Sequence, residues 1–236
     1  MSDRVTELKE KVRSLADKKT AINLKWFFKT GKGEYGEGDQ FAGLKVPVQR
    51  KFAAEFNYLT LPEIQKLLKS PIHEERLISL FILVDKFRKA DKKSQDRIFN
   101  FYIKNIKRIN NWDLVDLSAP KIIGKHLHEK DKVILFKFAK SKNLWERRIS
   151  ILSSFEFIRN NNFETSLQLC KLLLKDEHDL IHKAAGWMLR EIGKRNLEVE
   201  ERFLRINYKK MPRTMLRYAI EKFPDSKRKK YLQGKI

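Results

Sequence analysis

One pattern recurs along this chain at a nearly constant interval, and an interval of that length permits few folds. Three segments run from a basic residue through an apolar stripe to a charged end: "HEERLISLFILVDKFRK" from His73, "WERRISILSSFEFIRN" from Trp145 and "IHKAAGWMLREIGKRN" from Ile181. Anchored on Arg76, Arg148 and Lys183, they stand 72 and 35 residues apart. Halving the first interval predicts a hidden copy at Trp112, where "WDLVDLSAPKIIGKHL" begins. "PRTMLRYAIEKF", from Pro212, reads as a terminal copy. A period in the mid-thirties marks stacked helix pairs, none of which buries its apolar face alone.

Within the copies, apolar residues recur at helical spacing, as in Leu77, Leu80, Phe81, Val84 and Phe87, or Ile149, Leu152, Phe155 and Ile158. Gly and Pro number only 9 and 6, and five of the glycines fall between residues 31 and 43. "DKVILFKF", residues 131–138, suits helix or strand; its helical neighbours and the absence of a hairpin signal assign it to helix. The Trp, Gly and Tyr of the tetratricopeptide pattern and the Thr-Pro-Leu-His of ankyrin repeats are missing. The expectation is an all-α, HEAT-like α-solenoid of roughly six helical repeats, with one domain over residues 1–236 and a concave basic groove.

The charge points to a polyanion. Lys and Arg number 52 against 30 Asp and Glu, a formal charge of +22. That balance disfavours an enzyme for neutral small molecules and favours nucleic acid, then an anionic membrane surface. Cys170, the single cysteine, lies in the apolar run "SLQLCKLLLK", so it reads as core and no internal disulfide forms. The N-terminus is charged throughout, unlike a signal peptide. The longest purely apolar run, "LFILV", is too short to span a bilayer. These features predict a soluble, cytoplasmic monomer that binds double-stranded DNA and has no membrane partner. The basic end "KRKKYLQGKI" reads as a frayed terminus or a localisation patch.

The repeat register exposes an anomaly. One turn after the anchors stand Leu80, Asp116, Leu152 and Trp187. An unpaired carboxylate buried in a core costs several kcal/mol or changes its protonation instead. Either Asp116 has a buried partner, such as Arg148 of the next repeat, or its copy faces a cleft.

The residues at these register positions carry a chemistry. Arg148 suits bidentate contact with phosphate, and the faces of Trp112 and Trp187 suit stacking. A carboxylate repels phosphate in a plain DNA groove, but it stabilises positive charge that develops nearby. Glycosidic cleavage makes the sugar oxocarbenium-like. A cationic alkylated base is already a good leaving group and needs no strong general acid.

At these residues the chain resembles the HEAT-like-repeat bacterial DNA alkylation repair glycosylases. The resemblance runs through "FFKTGKGEYGEGDQFAGLKVPVQR", "NNWDLVDLSA", "NLWERRISIL" and "HKAAGWMLREIGK", and so covers nearly the whole chain. It implies removal of N3- and N7-alkylated purines, such as 3-methyladenine and 7-methylguanine, from duplex DNA. It also implies a monofunctional reaction with a water nucleophile and no conventional base-flipping pocket. Asp116 would be the catalytic carboxylate, with Trp112 and Trp187 beside the lesion and Arg148 on the adjacent phosphate. Lys183, Arg190 and Lys45 are the further expected DNA contacts. The chain departs from better-known members at Lys45, where they carry Gln, and in its long Gly-rich stretch.

Other features are weaker. Gly31, Gly33 and Gly36 match G-x-G-x-x-G, but "EGDQFAGLKVP" follows where a nucleotide-binding helix should open. A loop is expected, with Lys29, Lys32 and Lys45 near DNA, while Glu34, Glu37 and Asp39 argue against a simple phosphate cradle. No nucleotide cofactor and no metal are expected. His126, His128, His178 and His182 read as surface or capping residues, because third and fourth ligands are lacking. Trp145 reads as core, as do Trp26, Phe27 and Phe28, with a groove contact from one of the last three rings as the minor option. The competing functions are a non-catalytic, damage-sensing DNA-binding protein with a structural Asp116, and a protein-binding scaffold.

Overall fold

The computed structural model describes residues 3–236. The described residues are helical almost throughout and contain no strand, only a single bridge between Gln40 and Ile72. They form two compact units, residues 1–118 and 119–236.

The first unit contains α1 (Arg4–Ser14), α2 (Lys18–Phe27), α3 (Val46–Glu55), α4 (Leu61–Leu68), α5 (His73–Lys89), α6 (Lys92–Lys104) and α7 (Trp112–Ala119). Helix α5 is its axis. It is buried continuously from His73 to Leu83 and packs against α1, α3, α4 and α6. Side chains such as Ile78, Ile82 and Leu83 are wholly buried, each stabilising the fold by ~1.5–3 kcal/mol relative to exposure. Local signals set the helix ends. Asp17 and Asp91 accept the Thr20 and Ser94 amides, and a Thr60–Glu63 capping box opens α4.

The second unit begins at Ala119, the last residue of α7, and continues into a π-helical turn, Pro120–Gly124. Pro120 has no N–H to continue the α-helical ladder, and the backbone widens there. After it come α8 (Lys125–Leu127), α9 (Val133–Ala139), α10 (Leu144–Ser153), α11 (Phe155–Arg159), α12 (Glu164–Leu172), α13 (Asp179–Gly193), α14 (Leu197–Asn207), α15 (Arg213–Ala219) and α16 (Asp225–Leu232). Helix α13 is the axis here, packed by α10, α12, α14 and α15. Cys170 and Trp145 lie in the core, and "DKVILFKF" supplies most of α9.

The repeat register maps onto this order. Arg76, Trp112, Arg148 and Lys183 lie in the N-terminal halves of α5, α7, α10 and α13, and Pro212 precedes α15. In chain order each of these helices follows another: α4, α6, α9, α12 and α14. The C-terminus corrects the sequence reading: "KRKKYL" forms most of α16, Tyr231 is buried, and the Tyr208 hydroxyl meets the carbonyls of Gly234 and Ile236. Tyr231 is the lone aromatic of a basic run, and it holds the end down. No helix among the described residues is long and apolar enough to cross a membrane.

Candidate functional site

The position one turn after each repeat anchor separates core from surface. Leu80 and Leu152 are buried, whereas Asp116 and Trp187 are half-exposed. The anomaly read in the sequence is therefore a change of environment at two of four equivalent positions.

In the first unit, α7 is held from its N-terminus. Asn111 is wholly buried; its Oδ1 accepts the Trp112 amide at 2.8 Å and its Nδ2 donates to Asp39 at 3.0 Å. Trp112 lies flat on Phe28, with centroids 5.1 Å apart and planes 17° apart, and Phe27 meets it edge-on. Asp113 accepts from His73 Nε2 at 2.8 Å, and Asp39 accepts from the other ring nitrogen at 3.0 Å. The His73 ring also packs against Phe28 and Phe41. Burial opposes its charge, but Asp113 and then Asp39 outweigh that and push its pKa up to about 9. Burial likewise opposes ionisation of Asp39, yet His73, Arg76 and Asn111 hold it below the usual carboxylate range. Asp116 follows Trp112 by one turn on the same face. Its charge bears on Tyr102, whose hydroxyl hydrogen-bonds Ser118 and is kept un-ionised chiefly by burial.

The Gly-rich segment cradles an anion, and the anion belongs to the protein. The Glu74 carboxylate, almost fully buried, accepts the amides of Ala42, Gly43 and Leu44 at 2.8–3.1 Å. Glu34 and Glu37 accept those of Gly31 and Gly33. Two of the glycines serve close packing. A Cβ on Gly36 would lie 2.3 Å from the Phe28 carbonyl oxygen, and one on Gly43, at φ +92°, 2.2 Å from that of Asp17. The segment before this loop is helix α2, so the nucleotide-binding pattern lacks its strand. Lys45 is exposed and precedes α3 as its N-cap.

Trp26 and Phe27 correct another expectation. The sequence places them in the core, but they are 72% and 54% exposed; only Phe28 turns inward. Three successive aromatics at a helix end point in different directions, and their apolar character does not say which one meets the core.

In the second unit, Arg148 is buried, and its guanidinium donates to the Leu180 carbonyl in the first turn of α13. Lys183 pairs with Asp179 at 2.7 Å, and Arg190 with Glu221. The Trp187 indole donates to Glu191 at 3.2 Å and tilts against Phe155. Burial would raise the Glu191 pKa, but Lys194, Trp187 and Arg195 hold it low. His178 caps α13, its Nδ1 accepting the Leu180 amide, and His182 contacts the Asp176 carbonyl. Among the described residues no cluster of His, Cys, Asp or Glu is arranged to hold a metal.

The structure thus places Trp112 and Asp116 together on α7, and Lys183, Trp187 and Arg190 along α13 with Arg148 tied to its start. The sequence reading missed Asp39, His73, Glu74, Asn111 and Asp113. The one signal for them was that Asn111 and Asp113 flank Trp112 in "NNWDL".

Comparison with solved structures finds the same fold. A protein described as a predicted DNA alkylation repair enzyme from Enterococcus faecalis aligns at a TM-score of 0.71 and 16% identity, covering 89% of this chain and 97% of that one. AlkD2 from Streptococcus mutans gives 0.56 and 16%, over 88% and 99%. The smu.31 protein of Streptococcus mutans UA159 gives 0.55 and 15%, over 94% and 100%. No curated protein matches the sequence. The sequence does match one family along residues 8–223, nearly its full length. On that match, the chain belongs to the DNA alkylation repair enzyme family.

Proposed function

We propose that this protein is a monofunctional DNA glycosylase that hydrolyses the N-glycosidic bond of N3- and N7-alkylated purines in duplex DNA. The observation that carries the reading is Asp116. It is a half-exposed carboxylate, one turn after a π-stacked tryptophan, at a register position that buries leucine in two other copies. In a chain of net charge +22, a carboxylate at such a place serves chemistry rather than affinity for phosphate.

An alkylated purine carries positive charge and leaves with the bonding electron pair. C1′ of the deoxyribose then becomes oxocarbenium-like, and the Asp116 carboxylate stabilises that cation. Water adds to C1′ and loses a proton, leaving an abasic site. Trp112, held flat by Phe28, offers its other face to the sugar or backbone. Lys45 in the first unit, and Arg148, Lys183, Arg190 and Trp187 in the second, are the proposed DNA contacts of their own units. The protein acts as a monomer in the bacterial cytoplasm, on the nucleoid.

The test is a single-turnover base-release assay on duplexes carrying 3-methyladenine or 7-methylguanine. Release of the methylated base, with an alkali-labile site left behind, is expected. Binding without release would leave a non-catalytic damage sensor.

A further inference from the structure

Helix α2 exposes apolar surface that the fold does not use. None of its residues is buried. Ile22 and Trp26, one turn apart on one face, are 67% and 72% exposed, and Phe27 lies next to them. Their stretch of chain is rich in lysine, and the carboxylates that touch it, Asp17, Glu34 and Glu37, are engaged by the amides of Thr20, Gly31 and Gly33. Lys18, Lys19, Lys25, Lys29 and Lys32 fall between residues 18 and 33, and no acidic residue falls there.

Lys29 gives this surface a definite form. It follows the C-cap of α2 in the left-handed region, at φ +54°, a conformation rare outside Gly and Asn. Its ammonium lies over the Trp26 ring, 4.9 Å from the centroid. The indole is therefore held beside a positive charge and still presents most of its surface to solvent. Phe27 continues the aromatic surface inward, meeting Phe28 and Trp112 edge-on.

A large aromatic face next to cations suits a nucleobase, which stacks on the ring while its phosphates meet the lysines. A fully paired, stacked duplex offers no free base face. The surface fits a base that has left the stack.

We propose that Trp26, with Ile22 and Lys29, is a stacking platform for an unstacked nucleobase in duplex DNA, separate from the Asp116 position. The platform makes the protein favour duplexes whose pairing is locally weakened. The assignment rests on the reading of duplex DNA as the ligand, and it does not require base release.

The experiment measures binding of two unmodified duplexes, one fully paired and one with a single bulged base, by fluorescence anisotropy in the Asp116→Asn background. Trp26→Ala should weaken binding to the bulged duplex by about tenfold, the scale of one base–aromatic stack. It should change the paired duplex by less than about threefold and leave the salt slope intact, because no phosphate contact is lost. Trp26→Phe should restore most of the affinity. Trp26 is mostly exposed, so circular dichroism melts of both variants should match the parent. Equal losses on the two duplexes, or no loss on either, would overturn the proposal. So would Trp26-dependent binding to anionic phosphatidylserine vesicles, or Trp26-dependent self-association, in place of the bulge preference. If wild type releases no methylated base but the bulge preference depends on Trp26, the glycosylase reading fails and the platform stands. The converse result separates them the other way.

Discussion

His73 Nε2 lies 2.8 Å from the Asp113 carboxylate, which ties the first residue of α5 to the first turn of α7. The opposite ring nitrogen faces Asp39 in the Gly-rich loop. An imidazole between two carboxylates donates from both nitrogens only as the cation. Three segments distant in sequence therefore meet on one imidazolium, one turn before Asp116.

The proton makes stability depend on pH. Burial disfavours the cation, but Asp113 and Asp39 prevail, and the folded pKa of about 9 exceeds the ordinary value of 6.5. A raised pKa stabilises fully below the unfolded value, and the contribution is lost as pH rises through the folded one. The shift corresponds to ~3 kcal/mol. Melting temperature should therefore fall between pH 7 and pH 10. His73→Gln should melt lower at pH 6 and lack most of that slope. A thermal-melt series over pH 6–10 checks both.

Gly36→Ala tests why the loop is rich in glycine. The added Cβ would stand 2.3 Å from the Phe28 carbonyl oxygen and 3.0 Å from that of Lys29, so backbone must shift. A cost of roughly 1–3 kcal/mol is expected, as for overpacking elsewhere. Phe28 stacks on Trp112, so tryptophan emission should change as well. A substitution without effect on either readout would show that the loop yields freely.

The repeat architecture was legible because period and amphipathicity are properties of the sequence itself. Arg76, Trp112, Arg148 and Lys183 fix the register, and the helices follow it. The exceptional environment of Asp116 was legible for the same reason, as a departure from a repeated position. The buried polar cluster was not. Asp39, His73 and Asp113 meet across separations of 34 and 40 residues, and Asp39 sits in a loop without periodicity. Glu74 was hidden too, since a glutamate in a helix's first turn ordinarily faces water. The exposure of Trp26 and Phe27 was not legible, because hydrophobicity alone does not choose between two faces of a helix.

Asp116 and Arg148 should separate chemistry from binding. Asp116→Asn keeps the shape of a half-exposed side chain and removes its charge. It should slow base release by about 100-fold or more, the scale of losing a charge-stabilising group, while duplex affinity stays within about threefold. Arg148→Ala should weaken binding and also lower the melting temperature. The residue is buried, and its loss leaves the Leu180 carbonyl without that donor, a cost of ~1–3 kcal/mol. Rates and affinities measured well below the melting point distinguish the two effects. Wild-type release by Asp116→Asn would remove the carboxylate from the mechanism.

Glu200 gives a prediction independent of any function. It is almost fully buried on α14, and its Oε1 has no hydrogen-bond partner among the described residues. Burial and then the neighbouring Glu201 raise its pKa to about 8, against the weaker pull of Arg190 and Lys227. The folded state therefore keeps a proton that the unfolded chain loses near pH 4.5, and stability falls as pH rises from there to about 8. A neutral amide of the same shape escapes that penalty. Glu200→Gln should be close to neutral at pH 4 and should raise the melting temperature by ~3 °C or more at pH 9, as a gain above ~1 kcal/mol would in a chain of this size. Equal melting temperatures for variant and parent across pH 4–9 would mean that water or a shifted cation reaches the carboxylate.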